Sequence, residues 1–167
     1  GNISAVGTEE GEVGGNVEIT AEVIKLVVAT IDAYGWNGGG TVLIGGDYMG
    51  GNADPATVAQ SSIPLENRDI PTASYVVLDE DTQISVDALV KGDGGKLIVW
   101  SDVSTITAAE LFARGGSQGG NGGFIETSGH YLDVRQSADA SAINGEAGTW
   151  LLDPLNVHIR RVNNAGT

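Results

Sequence analysis

A glycine doublet followed by alternating apolar residues recurs along this chain of 167 residues, and no other feature narrows its possible folds as much. It reads Gly14-Gly15-Asn16-Val17-Glu18-Ile19, then Gly39-Gly40-Thr41-Val42-Leu43-Ile44, then Gly94-Gly95-Lys96-Leu97-Ile98-Val99. A looser copy, Gly122-Gly123-Phe124-Ile125-Glu126-Thr127, keeps the doublet, and Ala147-Gly148-Thr149-Trp150-Leu151-Leu152 keeps only its second glycine. The second positions fall at 15, 40, 95, 123 and 148, so the gaps are 25, 55, 28 and 25 residues. A period near 25 with one doubled interval belongs to a chain built by stacking similar units.

A second phase mark precedes each doublet, where a short apolar run leads into Ala and a polar or glycine turn. It reads Ile3-Ser4-Ala5, Ile31-Asp32-Ala33, Ile84-Ser85-Val86-Asp87-Ala88, Ile106-Thr107-Ala108 and Ala138-Asp139-Ala140-Ser141-Ala142. Two short strands and glycine-rich corners per period predict a solenoid and not a closed globule. Residues two apart on a strand share a face, so Val17 and Ile19, Val42 and Ile44, Leu97 and Val99, Ile125 and Thr127, and Trp150 and Leu152 are expected to point inward. One turn cannot bury its apolar face alone, but about six turns stacked ~4.8 Å apart make a continuous core about 30 Å long. Glycine at the corners permits positive φ and close approach of backbone to backbone.

Composition agrees with this and excludes several functions. Hydrophobic residues make up 41% of the chain and aromatics only 5%, while 26 residues are glycine, so the core must come from Val, Ile, Leu and Ala beneath many turns. The formal net charge of −14 argues against nucleic acid and anionic lipid as partners, since both reward Lys and Arg. No apolar stretch approaches the roughly 18 residues needed to span a bilayer, so no membrane insertion is expected. There is no cysteine, hence neither a disulfide framework nor a thiolate metal site. The chain opens on Gly1-Asn2-Ile3-Ser4 and stops in mid-pattern at Asn164-Ala165-Gly166-Thr167, as expected of a piece of something longer. The glycine-rich run 115–123 precedes a strand with no helix after it, unlike a phosphate loop, and calcium-binding nonapeptide repeats are absent in tandem.

The run Gly92-Asp93-Gly94-Gly95-Lys96-Leu97-Ile98-Val99-Trp100-Ser101-Asp102, then Ala113-Arg114-Gly115-Gly116, then 119–130 (GGNGGFIETSGH), and finally Trp150-Leu151-Leu152-Asp153-Pro154, resembles two-partner-secretion exoproteins of the filamentous-haemagglutinin and high-molecular-weight adhesin type. Gly45-Gly46-Asp47 after a strand also looks like that family. The likeness covers most of residues 36–157 and implies an all-β, right-handed parallel β-helix, export through a dedicated outer-membrane transporter, and residence at or release from a Gram-negative-type cell surface. The family's N-terminal secretion module, with its start signals and asparagine-rich motifs, is not visible. The expectation is therefore a stretch of helix downstream of that module. Residues 1–167 read as a single segment whose role is structural and adhesive, with a host-cell or glycan receptor as partner. An alternative from another class is a filament subunit that associates end to end through its open strand edges.

The doubled interval holds the main irregularity. Pro55, Pro64 and Pro71 all lie between Tyr48 and Ser74, and proline cannot donate to a strand ladder, so residues 48–74 are expected to leave the helix and return at Tyr75. Such an excursion either covers an apolar strip or forms a contact surface, for which Tyr48, Asn67, Arg68 and Trp100 are the candidates. Trp100 follows Val99 and points outward, whereas Trp150 falls on an inward position and Trp36 in a glycine corner. A polysaccharide-active enzyme would need carboxylates gathered on one face. The densest acidic group is Asp79, Glu80, Asp81 and Asp87, with Arg114 and Arg135 as possible clamps, but three of those acids are consecutive and read as a solvated turn. His130 and His158 lie about one turn apart without a third ligand. No catalytic residue, metal or cofactor is expected.

Overall fold

The computed structural model describes residues 1–54 and 69–156. Within them the alternating segments form thirteen strands: β1 (Asn2–Ser4), β2 (Asn16–Ile19), β3 (Val23–Leu26), β4 (Thr30–Asp32), β5 (Thr41–Ile44), β6 (Tyr75–Leu78), β7 (Gln83–Ser85), β8 (Lys96–Val99), β9 (Ser104–Thr107), β10 (Glu110–Phe112), β11 (Phe124–Gly129), β12 (Tyr131–Val134) and β13 (Thr149–Pro154). They stack into three parallel sheets, ordered β1-β4-β7-β10, β13-β11-β8-β5-β2 and β12-β9-β6-β3. The chain visits the three sheets in rotation, so each turn of this parallel β-helix has three strands and not the expected two. About five turns are present, close to the six expected.

The register follows the sequence spacing. Thr41 lies beside Asn16, Lys96 beside Thr41, Phe124 beside Lys96 and Thr149 beside Phe124, reproducing the gaps between glycine doublets. Because β5 is bonded directly to β8, the long interval between them contributes no strand to the second sheet.

Val17, Val42, Ile44, Leu97, Val99 and Ile125 all enter one buried cluster, with Ile19 and Trp150 packed against it, and Thr127 is buried among them. Inward Leu152, on the terminal described turn, is 46% exposed, with no further turn stacked on it among the described residues. On the first sheet Ile3, Ile31, Ile84 and Leu111 form one ladder. Leu111-Phe112-Ala113 is therefore the fourth phase mark. Ile106-Thr107-Ala108, assigned to that role from the sequence, belongs to β9 in the third sheet. On that third sheet the apolar ladder of Ile24 and Val76 passes to Thr105, whose hydroxyl donates to the Ser128 carbonyl at 2.7 Å and so remains satisfied inside the core.

The doublets serve close approach. None of their glycines has positive φ, contrary to one half of the sequence expectation. A Cβ on Gly39 would collide with the Val86 carbonyl oxygen, and one on Gly95 with that of Gly40 in the neighbouring turn. The second glycine of each pair also donates its N–H to the carbonyl of the preceding phase mark, as Gly40 does to Ala33 and Gly123 to Ala113, both at 2.7 Å. The two recurring marks are thus the two sides of one hydrogen-bonded corner.

Candidate functional site

On a solvated sheet the outward residues of the second sheet would be polar. Here Leu43 of β5 and Ile98 of β8 are outward and 0% exposed, and Phe124 of β11 is also buried. They form a second apolar cluster with Tyr48 and Ala53, against which Ile70, Trp100 and Leu151 pack. The cover is the segment just after β5, which makes a single 3₁₀ turn at Tyr48–Gly51 and lies across the sheet as a strap. Tyr48 meets Phe124 edge to face, with centroids 5.5 Å apart and planes at 80°.

Polar groups are sealed under the same strap. Asp47 caps the 3₁₀ turn by accepting from the Tyr48 N–H at 2.8 Å, and its Oδ1 also receives Lys96 Nζ at 2.9 Å. Both side chains of this ion pair are inside, at 0% and 5% exposure. Glu126, one position along β11 from the core residue Ile125, is 0% exposed. Its Oε1 accepts from the Ser128 hydroxyl at 2.6 Å, and both its oxygens accept long bonds from the Met49 N–H at 3.3 and 3.4 Å. Burial pushes the Glu126 carboxyl up to about 7, and the nearby charges of Asp153 and Asp47 push the same way against the two hydrogen bonds. Burial, then the charges of Glu126 and Asp153, raise the Tyr48 hydroxyl as well.

Trp100 sits at the rim of this interface. A Cβ on Gly46 or on Gly50 would come within 2.7 Å of its indole, so the strap presses bare backbone on the ring, and both glycines have positive φ. The indole Nε1–H donates to Asp102 Oδ1 at 3.0 Å, while Asp102 Oδ2 accepts from the Thr72 hydroxyl at 2.6 Å. His130 Nδ1 lies 3.0 Å from the Asp102 carbonyl oxygen, which can only accept, so Nδ1 carries the proton and Nε2 is the acceptor of the neutral ring. Trp100, Asp102 and His130 line an open cleft of about 380 Å³ together with Asp153, Pro154 and Leu155.

Of the residues proposed from sequence, Trp100 is half-buried at the cleft, as an outward residue at the edge of a cover would be. Tyr48 is a packing residue between strap and sheet, so its ring is not offered to a partner. Asn67, Arg68 and His158 lie outside the described residues. The acidic candidates do not converge. Asp79 receives the Thr82 hydroxyl and the Val28 N–H, and the Thr82 bond is the first cause holding its carboxyl below the ordinary value. Asp87 instead holds Arg114, whose guanidinium also lies 4.5 Å over the Phe112 ring. Among the described residues no three acidic or His side chains form a group able to hold a metal ion, and no helix is long and apolar enough to cross a membrane. Sequence reasoning passed over Lys96, Asp47 and Glu126. The signal available was a charge at outward positions flanked by outward Leu43 and Ile98.

No family model matches the chain, and no curated protein matches it either. Among solved structures it is similar to the HMW1 secretion domain from Haemophilus influenzae, with 29% identity, a TM-score of 0.61 and 92% of this chain covered. This chain is HMW1-like in sequence and fold. It spans 37% of the HMW1 chain it matches. The likeness falls on a secretion domain, whereas the sequence had pointed to a stretch downstream of one. Among its described residues the HMW1-like segment thus combines a repeating core with a strap and a cleft at its second sheet.

Proposed function

We propose that this HMW1-like segment is a rigid, exported rod that carries an adhesive contact surface on the outer face of its second sheet, displayed at the cell surface after passage through an outer-membrane transporter. The observation that supports this most directly is that, among the described residues, the strap lies over that face and fixes Trp100 beside an open cleft. Repeating turns need no such device for stability, and insertions on one face of a solenoid are its usual binding equipment. In this reading residues 48–74 form an excursion from the helix, and Asn67 and Arg68 contribute with Trp100 to binding. The excursion also shields Leu43, Ile98 and Phe124, so deleting all of it would uncover an apolar strip.

The test is retention on host cells. Beads coated with the folded chain should adhere to cultured epithelial cells more than beads coated with the same chain after irreversible unfolding. Equal retention would remove the adhesive reading.

A further inference from the structure

We propose that the cleft beside Trp100 is a binding site for a neutral pyranoside, stacked on the indole and hydrogen-bonded through its hydroxyls to Asp102, Asp153 and His130. This rests on the adhesive reading above and names the chemistry of its ligand.

Four observations carry it. The first is a held aromatic: the Trp100 indole is gripped by the backbone at Gly46 and Gly50 and by its own bond to Asp102, so its orientation is set before a ligand arrives. The second is size, since about 380 Å³ lies at the lower end of the roughly 300–1,000 Å³ of small-molecule sites and suits one or two sugar rings and not a folded partner. The third is the mixture of surfaces. The indole, Pro154 and Leu155 supply apolar wall for ring C–H groups, and the Asp102 carboxylate, the Asp153 carboxylate and His130 Nε2 supply acceptors for hydroxyl donors. The fourth is charge. Two carboxylates line the cleft of a chain whose net charge is −14, so an acidic sugar or a sulfated chain is repelled and an uncharged ring is favoured.

The Asp102 side chain is a positioning group as well as an acceptor. One oxygen holds the indole and the other holds the Thr72 hydroxyl, which ties the return of the strap segment to the corner after β8. Loss of this carboxylate should therefore loosen Trp100 as well as remove an acceptor.

The probe is lactose, with 3′-sialyllactose as its acidic counterpart, titrated into the 167-residue chain and followed by the indole N–H resonances of its three tryptophans in a ¹⁵N–¹H spectrum. Lactose is expected to move the Trp100 resonance in a saturable way and leave Trp36 in place, with sialyllactose weaker. Trp100→Ala should weaken lactose binding, read by calorimetry, about tenfold or more, as removal of an aromatic platform does. Trp100→Phe, which keeps a ring and serves as the folding control, should retain part of it. Asp102→Asn should weaken it too and broaden the Trp100 indole signal without ligand. No saturable shift at Trp100, sialyllactose binding as well as lactose, or lactose binding untouched in Trp100→Ala would each overturn the proposal. Cell retention that persists in Trp100→Ala would overturn this ligand assignment while leaving the adhesive rod in place, and loss of retention by the unaltered chain would remove the parent reading instead.

Discussion

Replacing Glu126 by Gln should abolish a specific pH dependence of stability. The carboxyl is wholly enclosed between β11 and the strap, and its folded-state pKa is about 7 against an ordinary value of 4.5. Because the folded pKa is raised, the unfolded chain releases this proton first as pH rises. The contribution of Glu126 to stability is therefore greatest below about 4.5, falls as pH climbs from there to about 7, and is flat above. The gap between 4.5 and about 7, at about 1.4 kcal/mol per pH unit, comes to about 3 kcal/mol, a large part of the stability of a domain. Gln has nearly the same shape and keeps an acceptor for the Ser128 hydroxyl and the Met49 N–H, but cannot ionise. Urea unfolding of both proteins from pH 4 to 9 isolates the effect, since every other carboxylate is common to both. The two should be nearly equal at the acid end and diverge through neutrality, with the variant the more stable by up to about 3 kcal/mol at pH 8. Amide exchange at Met49 should slow in the variant at high pH if the strap is where the strain of the buried charge is relieved. Curves that stay parallel across the whole range would refute the reasoning.

Other substitutions probe the rest of the frame. Val42→Asp, at a 0% exposed core position, should cost on the order of 3 kcal/mol or more by burying a charge in an apolar ladder, whereas Thr41→Asp, facing outward and half-exposed, should cost far less in the same urea titration. Lys96→Ala should destabilise by about 3 kcal/mol by breaking the buried ion pair with Asp47, and a double-mutant cycle with Asp47→Ala should show strong coupling between the two. Gly39→Ala should lower the melting temperature sharply, since its Cβ has no space beside the Val86 carbonyl, while Gly1→Ala, where nothing lies within 4 Å, should lower it much less.

What was legible in the sequence was whatever repeats locally. A doublet and an alternating strand specify which side chains point inward and which turn follows which, because strand periodicity and the exclusion of Cβ at a crowded corner act over a few residues. The inward assignments from Val17 to Ile125 needed nothing more. The separation of the first sheet from the third was harder to see. Strands of only three residues, such as β7 and β10 of the first sheet, carry too few positions for alternation to show, so Ile106 of the third sheet could stand in for Leu111 as a phase mark. The meaning of the outward face was not legible at all. Whether Leu43, Ile98 and Glu126 meet water depends on where a segment distant from β8 and β11 in sequence comes to rest, and only the stacking of β5 against β8 brings that strap over them. Periodicity thus determined the inner core from the chain alone, while the outer cluster, the raised Glu126 carboxyl and the Trp100 cleft arise from contacts between residues far apart in sequence, which only the tertiary structure could decide.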